Sequence, residues 1–121
     1  MLTEKEIVLG VTGGIAAYKV PEMVRMFIKA DARVTAVLTA NAQRFVTPLA
    51  LEVLTGRPVI TDLFVPNSPG IINHIQAADR ANLLLVAPAT ANVIGKLANG
   101  IADDALTTIA LACRAPLLLA P

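Results

Sequence analysis

A chain of 121 residues with a net charge of +1 is one domain long, and a hydrophobic content of 55% is enough to build a core. Charged residues make up only 16% and aromatic residues 3%, which leaves neither the basic surface nor the stacking platforms of a nucleic-acid binder. No apolar run reaches membrane-spanning length, Met1 to Glu6 is charged rather than signal-like, and the lone Cys113 excludes an internal disulfide. A cytoplasmic protein with neither a nucleic-acid nor a membrane partner is therefore expected. So low a charge fraction on so small a domain also predicts that part of its surface is covered by other subunits.

In chain order, Ile7 to Val11 reads as a strand ending in the turn Thr12-Gly13-Gly14. Ile15 to Ala30 carries apolar residues near a 3.6-residue period and predicts one helix, with Pro21 in its first turns. Arg33 to Leu38 predicts a second strand closing at Thr39. Asn41 to Phe45 and Pro48 to Leu54 predict two short helices, the second stopped by Gly56. Val59-Ile60 begins a short third strand, and Pro66 to Gly70 is a loop, the segment expected to move most.

Ile71 to Arg80 predicts a short helix, and the apolar run Leu83 to Ala87 a strand buried on both faces. Ala91 to Ala98 then predicts a helix ended by Asn99-Gly100. Asp103 or Asp104 caps a helix running to about Cys113, and Leu117 to Ala120 forms the last strand. Alternating strands and helices predict an α/β, Rossmann-type, doubly wound parallel sheet in three layers, αβα. A chain that stops at Pro121, directly after a strand, is expected to lack a following segment.

Ligands of open α/β sheets bind at the carboxyl ends of the strands. Pro88-Ala89-Thr90-Ala91-Asn92 follows a buried strand there, with small residues that let a flat ligand approach the backbone. Gly13-Gly14 is either an anion cradle or only a tight turn. It is not G-x-G-x-x-G, and Thr39, not an acid, ends the second strand, so a mononucleotide such as FMN suits the edge better than a dinucleotide. His74, the one histidine, is either a general acid or base or a surface or capping residue, and Asn73 beside it either orients a substrate or closes a turn. Lys96 reads as a solvated helix charge and Cys113 as a core thiol in an apolar helix. No cluster has metal-ligand spacing.

Taken together, Val11 to Ala17, Asn41 to Pro48, Ile72-Asn73-His74-Ile75, Pro88 to Asn92 and Gly100 to Asp104 resemble the homo-oligomeric flavin-containing cysteine decarboxylases, and most of all the branch that acts on phosphopantothenoylcysteine in coenzyme A synthesis. The resemblance covers about Glu6 to Pro121. It implies a flavodoxin-like fold over residues 1–121, FMN between neighbouring subunits, and a homo-oligomer, trimer or dodecamer. Gly13, Gly14, Ile15 and Ala16 would surround the phosphate with Thr39 beside them, while Ala89, Thr90, Ala91 and Asn92 would line the flavin. His74, with Asn73, would be catalytic.

The implied reaction oxidises the cysteine end of the substrate to a thioaldehyde, releases CO2 and re-reduces the product to phosphopantetheine. In the family a Pro-x-Met-Asn segment and a flap cysteine follow the last strand. This chain ends before both, so it is expected to bind FMN and oligomerise without completing turnover. A phosphopantothenate–cysteine ligase domain, fused or separate, is the implied partner. Alternatives are a peptidyl-cysteine decarboxylase, a flavin prenyltransferase, or a flavin-binding regulatory subunit without catalysis.

Overall fold

Burial with a period of two organises the molecule. In β1 (Glu6–Val11), Ile7, Leu9 and Val11 enter one apolar cluster while Val8 enters another. β2 (Arg33–Leu38) sends Val34, Ala36 and Leu38 to the first cluster and Val37 to the second. β3 (Leu83–Val86) splits in the same way, with Leu85 on one side and Leu84 and Val86 on the other. A strand buried on both faces cannot alternate apolar with polar residues, which is why these runs are continuously hydrophobic. In this computed structural model, residues 1–63 and 74–121 are described.

Four strands pair in parallel in the order β2-β1-β3-β4, with β4 at Leu117–Leu119. Helices α1 (Val20–Lys29) and α2 (Pro48–Thr55) supply Val20, Val24 and Leu51 to the first cluster. Helices α3 (His74–Arg80), α4 (Ala91–Ala98) and α5 (Ala105–Ala112) supply Ala77, Ala78, Val93, Leu106 and Ile109 to the second. The three-layer αβα architecture follows. Gly10 lets α5 approach β1, because a Cβ there would overlap the Leu106 side chain.

The elements differ from sequence expectation at places with local causes. The single helix expected over Ile15 to Ala30 is a 3-10 turn, Ile15–Lys19, followed by α1. Val20 N–H bonds Ala17 O, and Pro21 has no N–H with which to make the i→i−4 bond to that carbonyl. The helix expected from Asn41 is a short 3-10 turn, Ala42–Arg44.

The third strand shrinks to one parallel bridge, Val37 to Ile60, in which Ile60 N–H reaches Ala36 O at 3.0 Å. Pro58, two residues earlier, has no N–H to extend that ladder. Gly56 ends α2 at φ 72°, and Asp104 rather than Asp103 caps α5. Cys113 is not in the helix; it lies just past α5, half-buried against the second cluster. The expected loop Pro66 to Gly70, the first turn of the helix expected from Ile71, and Asn73 lie outside the described residues. No helix among the described residues is long and apolar enough to cross a membrane.

One ion pair ties the start of β1 to the exit of α2. Arg57 donates to both carboxylate oxygens of Glu6, at 2.8 and 3.0 Å, and to Thr35 Oγ1 at 2.9 Å. The two charged side chains are only 20% and 18% exposed, so each depends on the other for lost hydration. Arg57→Met should therefore cost about 2 kcal/mol in urea unfolding, because it strands the Glu6 carboxylate. A loss within error of zero would show that water replaces the guanidinium.

Candidate functional site

From β1 the chain moves to one side, through β2 and the Ile60 bridge, and then crosses back to place β3 and β4 on the other. The direction of winding reverses between β1 and β3, and a crevice opens there above the carboxyl ends of the strands. The loops at that crevice are Thr12 to Ile15, after β1, and Ala87 to Thr90, after β3.

Thr12 joins them. Its side chain is fully buried, and its hydroxyl donates to Pro88 O while accepting from Thr90 N–H at 3.0 Å. Thr90 then caps α4, its hydroxyl accepting from Val93 N–H at 3.3 Å. Thr39 does the same after β2, accepting from Ala42 N–H at 3.2 Å. Both hydroxyls accept from the chain, so each keeps its proton free to donate to a ligand.

The two glycines serve close approach, not backbone freedom. Neither has a positive φ. A Cβ on Gly13 would overlap Cβ of Asn41 and sit 3.2 Å from the Asn41 carbonyl carbon, so glycine is what lets the β1 and β2 loops touch. A Cβ on Gly14 would lie 3.3 Å from Pro88 Cγ. Beyond Gly14, the amides of Ile15 and Ala16 precede the first bond of the 3-10 turn, Ala17 N–H to Gly14 O, and stand among the donors every helix start leaves free.

These loops enclose a pocket of about 270 Å³ lined by Gly13, Thr39, Asn41, Thr90, Asn92 and Lys96, with Ala40, Val93 and Asp104 completing the wall. Of the residues expected from sequence, Gly13, Thr39, Thr90 and Asn92 come together here. Gly14 touches their edge, while Ile15 and Ala16 are exposed on the adjoining turn. Ala89 is buried beneath the site and Ala91 exposed above it. His74 opens α3, half-buried, and is not part of the pocket wall.

Sequence reasoning missed Thr12, Asn41 and the role of Lys96. Lys96 is not merely solvated: its Nζ lies 3.0 and 3.2 Å from the two oxygens of Asp103. Asp104 in the same wall is engaged by α5, accepting from Thr107 N–H at 2.8 Å in a capping box. A hydroxyl at the end of a buried strand was the available signal for Thr12, but its partners lie 76 and 78 residues away.

A family model described as Flavoprotein matches residues 1–121. The chain belongs to the flavoprotein family. It is 51% identical over 121 residues to the Coenzyme A biosynthesis bifunctional protein CoaBC of Bacillus subtilis (strain 168), covering 100% of this chain and 30% of that protein. CoaBC of Haemophilus influenzae is 47% identical over 120 residues, covering 99% and 30%. The chain thus spans about 30% of the length of these curated relatives.

Among solved structures, the FMN-dependent cysteine decarboxylase SpaF superposes with a TM-score of 0.87 at 31% identity, over 98% of this chain and 69% of that one. A mutant PPC decarboxylase complexed with pantothenoylaminoethenethiol gives 0.76 at 28% identity, over 96% and 65%. The fold of this flavoprotein is flavodoxin-like.

Thr12→Val keeps the shape but leaves Pro88 O and Thr90 N–H without their shared partner. It should cost about 1–3 kcal/mol in chemical denaturation. Gly13→Ala should cost a similar amount through overlap with Asn41, about 1–3 kcal/mol, and Gly14→Ala clearly less. Equal tolerance of alanine at both glycines would contradict the close-approach account.

Proposed function

We propose that this flavoprotein binds FMN at the β1–β3 crevice and forms the decarboxylase part of a longer coenzyme A biosynthesis protein, converting phosphopantothenoylcysteine to phosphopantetheine with loss of CO2. The observation that carries the reading is a whole-chain likeness to CoaBC, at 51% identity, on a chain whose pocket unites Gly13, Thr39 and Thr90. Likeness to a PPC decarboxylase complexed with pantothenoylaminoethenethiol supports the substrate class. A flavin-binding regulatory subunit without catalysis, or a flavin prenyltransferase, has less support. A peptidyl-cysteine substrate is the second reading, within the wider class of cysteine decarboxylases to which SpaF, at a TM-score of 0.87, belongs.

The residues present fit FMN. A phosphate needs donors that are not already spent, and the Thr39 hydroxyl and the Ile15 and Ala16 amides meet that need on adjoining loops. A flat ring needs close access to backbone, which Ala89, Ala91 and Gly14 permit, and the exposed Asn92 amide offers both a donor and an acceptor. When bound, FMN supplies reversible two-electron chemistry, which suits a decarboxylation with no net redox change.

The protein's part is to hold, align and manage protons. Thr90 fixes the start of α4 and so the placement of Asn92. His74, as an imidazole, takes and returns a proton at the thiol end of the substrate. Asn73 beside it orients the substrate.

Homo-oligomerisation, as a trimer or dodecamer, completes the site in this reading. The pocket of about 270 Å³ falls below the roughly 300–1,000 Å³ of a complete small-molecule site. Around the same edge Ile15, Tyr18, Phe45 and Ile75 are 76%, 62%, 44% and 56% exposed, an apolar surface suited to a second copy. His74 then reaches the pocket from a neighbouring copy. A ligase domain, joining cysteine to phosphopantothenate, accompanies the chain in the longer protein. The free thiol of Cys113 accords with a cytoplasmic setting.

The test is purification of this chain and of a form continuing past Pro121, followed by flavin absorbance and assay with phosphopantothenoylcysteine. A yellow oligomer is expected, with turnover in the longer form. His74→Asn should lower that turnover roughly 10²–10⁴-fold while leaving flavin absorbance unchanged. A colourless protein would overturn the cofactor assignment, and full activity in His74→Asn would overturn the proton-transfer role.

A further inference from the structure

Among the described residues, Lys96 is the one cation in the pocket wall, and the wall also contains the Asp104 carboxylate. An anionic ligand entering between Thr39 and Thr90 would meet that carboxylate uncompensated if Lys96 were absent. The Lys96 side chain is only 27% exposed, and its ammonium is held at 3.0 and 3.2 Å by both oxygens of Asp103, a residue outside the wall. Asp103, 53% exposed, belongs to the segment leading into α5, whereas Lys96 belongs to α4, so the pair links the two helices across the rim. Asp104 is turned toward α5 by its bonds to Thr107 and is no competitor for the ammonium.

We propose that Lys96 is the electrostatic contact of this pocket for an anionic ligand, and that Asp103 is a positioning residue that holds the ammonium at the rim and tempers its charge. The inference rests on the FMN reading and adds to it a residue and a sign. Opposite charges at the two positions must act on a bound anion in opposite directions. A purely structural pair has no such signature, since removing either partner breaks the same contact.

The test measures FMN affinity of the whole chain by quenching of flavin fluorescence, with riboflavin, which lacks the phosphate, as the second probe. Lys96→Met should weaken FMN binding roughly tenfold, the scale of one charge acting across a partly solvated pocket. Lys96→Arg should restore most of it. Asp103→Asn should tighten FMN binding severalfold by freeing the ammonium. Riboflavin affinity should move little in any variant.

Equal weakening in Lys96→Met and Asp103→Asn would show a structural bridge and overturn the proposal, as would unchanged FMN affinity in both. Equal losses for FMN and riboflavin in Lys96→Met would overturn it too, by removing the anion from the account. Failure of the unaltered protein to bind FMN would instead overturn the cofactor reading beneath it.

Discussion

The Thr12 hydroxyl is the constraint on which the functional edge depends. It sits at the end of β1, fully buried, and satisfies a carbonyl and an amide of the loop after β3 at once. Parallel sheets give no direct connection between neighbouring strand ends, because each crossover leaves from one edge and returns at the other. A side chain that bridges two such ends therefore sets a distance the sheet alone does not. Once Thr12 holds Pro88 and Thr90 in place, the start of α4 follows, and with it the direction of Asn92 and Lys96.

Small residues then allow the loops to close on one another. Glycine at 13 brings the β1 loop onto Asn41, and Thr39 turns the chain after β2 by capping Ala42. The result is a wall that sets the Thr39 and Thr90 hydroxyls beside the Lys96 ammonium. Such a wall suits a phosphorylated flat molecule that needs close backbone approach. Arg57 and Glu6 perform the corresponding task at the opposite, amino edge of the sheet, where their ion pair joins β1 to the exit of α2.

Much of the fold was legible because its signals are local. Thr47-Pro48 and Gly56 bound α2, and continuous apolar runs marked β1, β2 and β3, since those residues act on their own backbone. Where a local rule had two readings, the sequence was less informative. Pro21 was compatible with an early helical turn, yet its missing N–H split the element into a 3-10 turn and α1. Pro58 reduced a strand to one bridge for the same reason. That Gly13, Thr39, Thr90 and Asn92 lie together was legible because strand ends of one parallel sheet must share an edge. Thr12 and Arg57 were not, because their partners lie 22 to 78 residues away and only the folded register brings them together. His74 falls between these cases: its residue type signals proton transfer, but in the single chain it lies outside the pocket wall.

The central claim is that the loops after β1 and β2 form one phosphate cradle at the crevice. A crystal structure with FMN tests it directly. The phosphate is expected within hydrogen-bond reach of the Ile15 and Ala16 amides and the Thr39 hydroxyl. A phosphate seated elsewhere, with those three donors facing only solvent, would contradict the account.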